Sequence, residues 1–417
     1  MRKTLSIVAV LALASSTFLS AGMEMGDSMG GSNEMQNEAP ANSEMAKSST
    51  ETTAKAEPAK KSGEVVKIGV VLPLTGPIAA FGQTSKRGLD IAHDSNKQLK
   101  DGSEVKIIVL DDRGDKVEAA TAVKRLINKE GVTAILGEVA SSNSMAMAPV
   151  AEKAKTPMIT HASTNPRVTK GKKYVTRACF IDPFQGAVMA KYALDNKLDT
   201  AVVVTDAKQD YSVGLSKAFK KAYKAGGGKI LKVVRINSGD KDFNAQVSTI
   251  KKEDPKIIAF TGYYPEGALM VKQARAMGVN APFIGADGVG FPELLKIGGK
   301  ASEGFMYTDH FNEAAATSDE AKNYVKVYHE KYNKNADSMG ALAADAYGMI
   351  ISAMNSCIDE HKKPTDKECV NSKLRATKGY KGITGEINID ENGNAVKSAV
   401  VNEVKDGKFV YKTTVNP

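Results

Sequence analysis

The chain has no tryptophan, three cysteines and five histidines in 417 residues. The histidines (His93, His161, His310, His329 and His361) are scattered, without the spacing of a metal site. HExxH and P-loop patterns are missing. GADGVG at 285–290 lacks the GxGxxG form and the βαβ context of a dinucleotide fingerprint. Asp111-Asp112 reads as a strand-end turn rather than a catalytic dyad. With no nucleophile–base–orienter set, an enzyme is disfavoured, and no residue set calls for a cofactor. No long apolar run follows the N-terminus, so no later segment is expected to cross a membrane. Aromatics make up only 6% and do not interleave with the basic residues. The formal charge of +9 therefore reads as a generally basic surface and not as a nucleic-acid footprint.

What is present begins with an address. Arg2 and Lys3 precede an apolar core over 5–14, closed by Ser20-Ala21-Gly22, the pattern of a secretory signal peptide over residues 1–22. The protein is expected in the periplasm, soluble. Residues 23–63 are rich in Met, Ser, Glu and Lys, lack periodicity and aromatics, and read as a disordered tether. Its methionines (Met23, Met25, Met29, Met35, Met45) are soft copper(I) ligands, but their irregular spacing without His or Cys favours plain disorder. Residues 1–22 carry +2 and residues 23–63 carry −3, so the remaining 354 carry +10. In an oxidising compartment Cys357 and Cys369 could close a short disulfide loop, leaving Cys179 as a buried small residue.

From residue 65 the chain alternates strand and helix. Strands are expected at 65–72 and 105–110, with a helix over 83–98 between them, and a second helical period carries Val117, Ala120, Val123, Leu126 and Ile127. Residues 133–166 then hold two apolar runs, 134–137 and 158–160, around one helix-length segment. Each run ends in small or hydroxyl-bearing residues, Ala140-Ser141-Ser142-Asn143 and Ala162-Ser163-Thr164. A βαβ unit puts both clusters at the carboxyl edge of a parallel sheet, where open α/β sheets bind ligands. Hydroxyls, backbone N–H groups and a helix start together cradle an anion such as a carboxylate. Serines and threonines also cap helices at such places, and the two readings stand level. Pro149 inside the helix predicts that it is irregular or starts late. A second alternation runs from 200 to 308. Two long helices follow over 318–332 and 339–357, then hairpin signals over 385–407.

Polar and aromatic residues gather at strand ends of both halves: Phe81, Ala140, Ser141, Ala162 and Thr164 in the first, Tyr211, Tyr263 and Asp287 in the second. Small hydroxyls facing an acid and tyrosines suit a zwitterion. The succession of IGVVLPLTGPIAAFG, DDRGD, ILGEVASSNSMAMAPVAEKAKTPMITHASTNP, FIDPFQG, DAKQDYSVGL, FTGYYPEGALMVKQARAMG and FIGADGVG resembles the periplasmic branched-chain amino-acid binding proteins of ABC transporters, the type I two-lobed kind. The resemblance implies an α/β fold of two doubly wound parallel-sheet lobes joined by a three-crossing hinge. It implies that Ser141 and Thr164, with backbone at Ala140 and Ala162, hold a carboxylate, and that Asp287 holds an ammonium. Tyr211 and Tyr263 become second-lobe contacts and Phe81 an aromatic lid. The chain lacks the Cys pair that such proteins often carry near the positions of Gly114 and Ala140, and has Asp287 where many have Glu.

The expected division is residues 64–181 with 310–383 in lobe 1 and 182–309 with 384–417 in lobe 2. Crossings fall near 181–182, 308–310 and 382–385. The expected function is capture of an amino acid, branched-chain or otherwise aliphatic, by a monomer that delivers it to an inner-membrane permease and ATPase complex. The alternatives are an amide, urea or aromatic acid as ligand, or a sensor that presents its ligand to a membrane receptor.

Overall fold

The computed structural model describes residues 63–417. The expected signal peptide and all but the last residue of the expected tether lie outside the described residues. The first alternation builds β1 (Val65–Leu72), α1 (Ala79–Ser95), β2 (Glu104–Asp111), α2 (Lys116–Arg125), β3 (Ala134–Leu136), α3 (Ser141–Lys153), β4 (Met158–Thr160) and β5 (Val175–Arg177). These strands form one parallel sheet in the order β2-β1-β3-β4-β5. β1 is a run of branched aliphatics because both its faces are covered: Val66, Ile68, Val70, Val71 and Leu72 are fully buried.

The second alternation builds α4 (Asp182–Asp195), β6 (Thr200–Asp206), α5 (Asp210–Ala225), β7 (Lys229–Ile236), α6 (Asn244–Glu253), β8 (Ile257–Phe260), α7 (Tyr264–Ala276), β9 (Phe283–Gly285), α8 (Pro292–Gly298) and β10 (Met306–Asp309). After α9 (Asp319–Tyr332), α10 (Ser338–Asp359) and α11 (Lys367–Arg375) come β11 (Tyr380–Gly382), β12 (Gly385–Ile389), β13 (Ala395–Val396), β14 (Ala399–Lys405) and β15 (Lys408–Val415). The second sheet runs β15-β14-β10-β9-β8-β6-β7. Its parallel part, β7-β6-β8-β9-β10, repeats the order of the first sheet, and β14 and β15 extend it antiparallel. The expected pair of doubly wound parallel sheets is borne out.

Three local readings change. α3 starts at Ser141 and runs unbroken through Pro149. The proline is exposed, so its missing N–H and the carbonyl it frees lie on the solvent side of the helix. α1 begins at Ala79, four residues before the expected 83, because the Gly/Pro loop ends sooner than its composition suggests. The third passage between sheets also lies later than 382–385. Asp345 on α10 accepts hydrogen bonds from Ile383 N (2.6 Å) and Thr384 N (3.0 Å). The turn after β12 lies against β5, where Arg177 N donates to Gly393 O at 3.0 Å. Residues 384–396 are thus held to first-sheet elements, and the chain re-enters the second sheet only at Ala399.

α10 is long and apolar enough to resemble a membrane span, yet 72% of its most apolar window is buried inside the protein. It lies on α1 so closely that a Cβ added to Gly88 would sit 1.9 Å from the carbonyl oxygen of Gly340. The Cys357 and Cys369 sulfurs are bonded, tying the end of α10 to α11, while Cys179 is free and buried. Gly88→Ala should force the two helices apart and lower stability by ~1–3 kcal/mol, read as a fall in Tm. An unchanged Tm would show that the crossing can yield.

Candidate ligand-binding site

Helices that begin in this fold are satisfied in two ways. α2, α9, α10 and α11 are capped by the side chains of Asp115, Ser318, Asp337 and Asp366. α3, α5 and α7, which start at Ala140-Ser141, Gln209-Asp210 and Tyr263-Tyr264, have no side-chain cap. Each begins just after a strand, β3, β6 or β8, so the positive end of its dipole lies at the carboxyl edge of its sheet. The serines after β3 therefore do not cap α3 itself. Ser141 Oγ accepts from Asn165 N at 3.1 Å. Ser142 Oγ meets Asp210, accepting from its N–H at 3.0 Å and donating to Oδ2 at 3.2 Å.

The two hydroxyl clusters are stitched together from beneath. Ser163 Oγ reaches Glu138 O, Val139 O and Ser144 Oγ at 2.9, 3.0 and 2.8 Å, and Thr160 Oγ1 donates to Glu138 O at 2.6 Å. Arg177, fully buried, donates to Ser163 O, Asn165 O and Thr169 Oγ1 at 2.5, 2.9 and 3.1 Å. It holds the 163–165 loop by its carbonyls. Ser144, Thr160 and Ser163 build the scaffold beneath the start of α3.

On the other wall Tyr211 donates to Asp287 Oδ1 at 2.8 Å and stacks on Tyr263, ring centroids 4.9 Å apart. Burial pushes the Tyr211 phenol well above its usual range, which keeps it a donor. His310 Nε2 lies 3.3 Å from Asp287 Oδ2 and its Nδ1 has no partner, so the proton belongs on Nε2. Burial lowers the His310 pKa against the pull of Asp287, and its ring stacks on Phe180 at 3.7 Å. Asp287 is thus buried (3% exposed), held by neutral donors, and among the described residues has no Lys or Arg as an ion-pair partner. Phe81 meets Tyr263, Tyr264 and Phe291 edge-on at 5.4, 5.1 and 4.6 Å and closes the apolar end. All eight residues named from the sequence lie at 6% exposure or less.

The sequence reading missed Asp182. Its N–H donates to Thr164 O at 3.0 Å, its Oδ1 accepts from Gln185 at 3.0 Å, and its Oδ2 is buried without a partner. Burial raises its pKa to about 7, and the charge of Asp287 adds to the rise. Asp210 was missed as well. It accepts from Arg167 at 3.1 Å, sits 3.5 Å from Lys116 Nζ, and its carbonyl accepts from Asn165 at 2.7 Å. These contacts, with Tyr264 OH donating to Pro77 O at 3.2 Å, join first-sheet loops to second-sheet helices in a closed arrangement. The signal for Asp182 and Gln185 was their i, i+3 spacing at a helix start in FIDPFQG. His310 was set aside because a metal was the role considered.

A sequence profile described as periplasmic binding protein matches residues 65–408. The chain belongs to this family. A leucine-, isoleucine-, valine-, threonine- and alanine-binding protein of Pseudomonas aeruginosa is 31% identical over 336 residues, 80% of this chain and 88% of the relative. The crystal structure of a leucine-binding protein, LivK of Thermotoga maritima, is 47% identical with a TM-score of 0.81, covering 84% of this chain and 99% of that one. LivJ of Streptococcus pneumoniae, solved with isoleucine, is 28% identical with a TM-score of 0.79, covering 85% and 100%. All three are named as binding or transporter substrate-binding proteins, and none as an enzyme.

In a periplasmic binding protein so arranged, a cation entering beside Asp182 favours its ionised form and lowers its pKa from about 7. Binding of such a cation should then release a proton. Affinity should fall as pH drops through 7, by up to ~tenfold per pH unit until the pKa of the bound state is reached. Calorimetry at pH 6.5 in buffers of different ionisation enthalpy should show proton release by the wild type and none by Asp182→Asn. Heats independent of buffer would show that no cation approaches this carboxyl.

Proposed function

We propose that the protein captures an amino acid, branched-chain or otherwise aliphatic, between its two sheets and delivers it from the periplasm to an inner-membrane ABC importer. One observation carries the choice of an amino acid. Asp287 is a buried carboxylate with hydrogen-bond donors but no counter-charge. A buried charge left unpaired is costly, and an ammonium supplied by the ligand removes that cost. The uncapped start of α3, with Ser141 and Thr164, takes the α-carboxylate. Phe81, Tyr263 and Phe291 offer aromatic surface to an aliphatic side chain. An aromatic acid, amide or urea brings no ammonium and would leave Asp287 uncompensated, so a zwitterion fits better. The names of the relatives support the same ligand class.

Ligand settles first on the α3–β4 wall, and closure about the crossings after β5, β10 and β13 adds Tyr211, Tyr263 and Asp287. Contacts made only in the closed state are what let a ligand drive closure. Asp287→Ala should leave a folded protein whose affinity for leucine, isoleucine or valine falls ~100-fold or more. Ser141→Ala with Thr164→Ala should weaken every ligand bearing an α-carboxylate. Calorimetry against leucine and 4-methylpentanoic acid separates the roles. Leucine should bind and the deaminated acid should not; equal affinities would remove the ammonium from the reading.

A further inference from the structure

The positive charge of the chain is not evenly spread over the fold. Between Tyr211 and Gly239 the sequence holds Lys217, Lys220, Lys221, Lys224, Lys229, Lys232 and Arg235 and no acidic residue. Elsewhere among the described residues fifteen lysines and arginines stand in ion pairs, for example Lys86–Asp90, Lys100–Asp359 and Lys256–Asp199. None of these seven forms an ion pair among the described residues.

The fold puts them on one face. α5 buries Leu215, Phe219 and Tyr223 and turns Lys217, Lys220, Lys221 and Lys224 outward at spacings of three and four, one stripe of a helix. β7 is the edge strand of the second sheet, and its Lys232 and Val233 border the same shallow groove as the four helix lysines, about 610 Å³ in volume. Lysines on an exposed edge strand guard against edge-to-edge pairing, which gives Lys229 and Lys232 a use of their own. The α5 lysines have no such use, and their mutual repulsion costs stability with no ion pair among the described residues to offset it. Two aliphatic side chains sit among them, Val213 at 49% and Val233 at 38% exposure. Cations dispersed over a helix and a strand, with exposed aliphatics between them, match an extended anionic surface rather than one carboxylate.

We propose that the α5–β7 face of this protein docks on an anionic phospholipid membrane. Each lysine brought to such a surface adds attraction that falls off within the screening length, so the docking is weak, additive and salt-sensitive. The inference does not depend on which ligand the cleft holds.

The test is sedimentation of the full-length protein with vesicles of phosphatidylglycerol and phosphatidylcholine in equal parts, against phosphatidylcholine alone. Binding should occur to the anionic vesicles at about 50 mM salt and disappear near 500 mM. Lys217→Glu with Lys221→Glu and Lys224→Glu should weaken it at least tenfold with Tm and leucine affinity unchanged. Lys124→Glu with Lys129→Glu and Lys170→Glu, a matched change in net charge away from the face, should keep it. Any contribution of the N-terminal residues is common to all three proteins. No binding by the wild type, or equal losses in the two triple variants, would overturn the proposal. In the first case an acidic protein surface becomes the better partner, and in the second only the net charge matters.

Discussion

A buried carboxylate without a counter-charge is the constraint around which the cleft is organised. Asp287 receives Tyr211 and His310, both neutral, and neither cancels its charge. Their placement costs further structure. Tyr211 is fixed by stacking on Tyr263, and Tyr263 in turn packs against Phe81 from the opposite wall. His310 is fixed by stacking on Phe180. The aromatic groups that would greet a side chain are thus the same groups that aim the acid.

The opposite wall is rigid for a different reason. Its donors are backbone N–H groups, which can be aimed only by fixing the chain around them. Ser144, Thr160 and Ser163 converge on the Glu138 carbonyl, and Arg177 grips three oxygens of the following loop. Arg177 also donates its own N–H to Gly393 O, in the turn before the last passage between sheets. A polar network bonded this densely is stiff, and a stiff cradle would lose little freedom on binding a ligand.

Much of this was legible in the sequence because period and order are local. The strands over 65–72 and 200–205 announce themselves by branched aliphatics, and the two hydroxyl clusters by following such strands. What escaped notice depends on distance in space. β5 is only three residues long, too short for a period, and α4 buries residues on so many sides that its amphipathic signal is faint. Asp182 looks like any helix-start acid until burial shows that its Oδ2 has no partner. The hairpin over 385–396 reads as second-lobe structure because it is close in sequence to β14. Contacts with Asp345 and Arg177, 39 and 216 residues away from Thr384 and Gly393, hold it to the first sheet.

The bonds around Asp210 have a further consequence. Ser142, Asn165, Arg167 and Lys116 all meet it in direct bonds between protein groups, which need no ligand to form. They therefore stabilise the closed shape whether or not the cleft is occupied. A closed and empty molecule cannot admit a ligand, so the capture rate scales with the fraction of time the jaws stand apart. A latch too strong would slow uptake and present empty proteins to the membrane in the same shape as loaded ones. Exposed, salt-screened partners such as Arg167 and Lys116 keep that latch weak, and so keep shape a faithful report of occupancy.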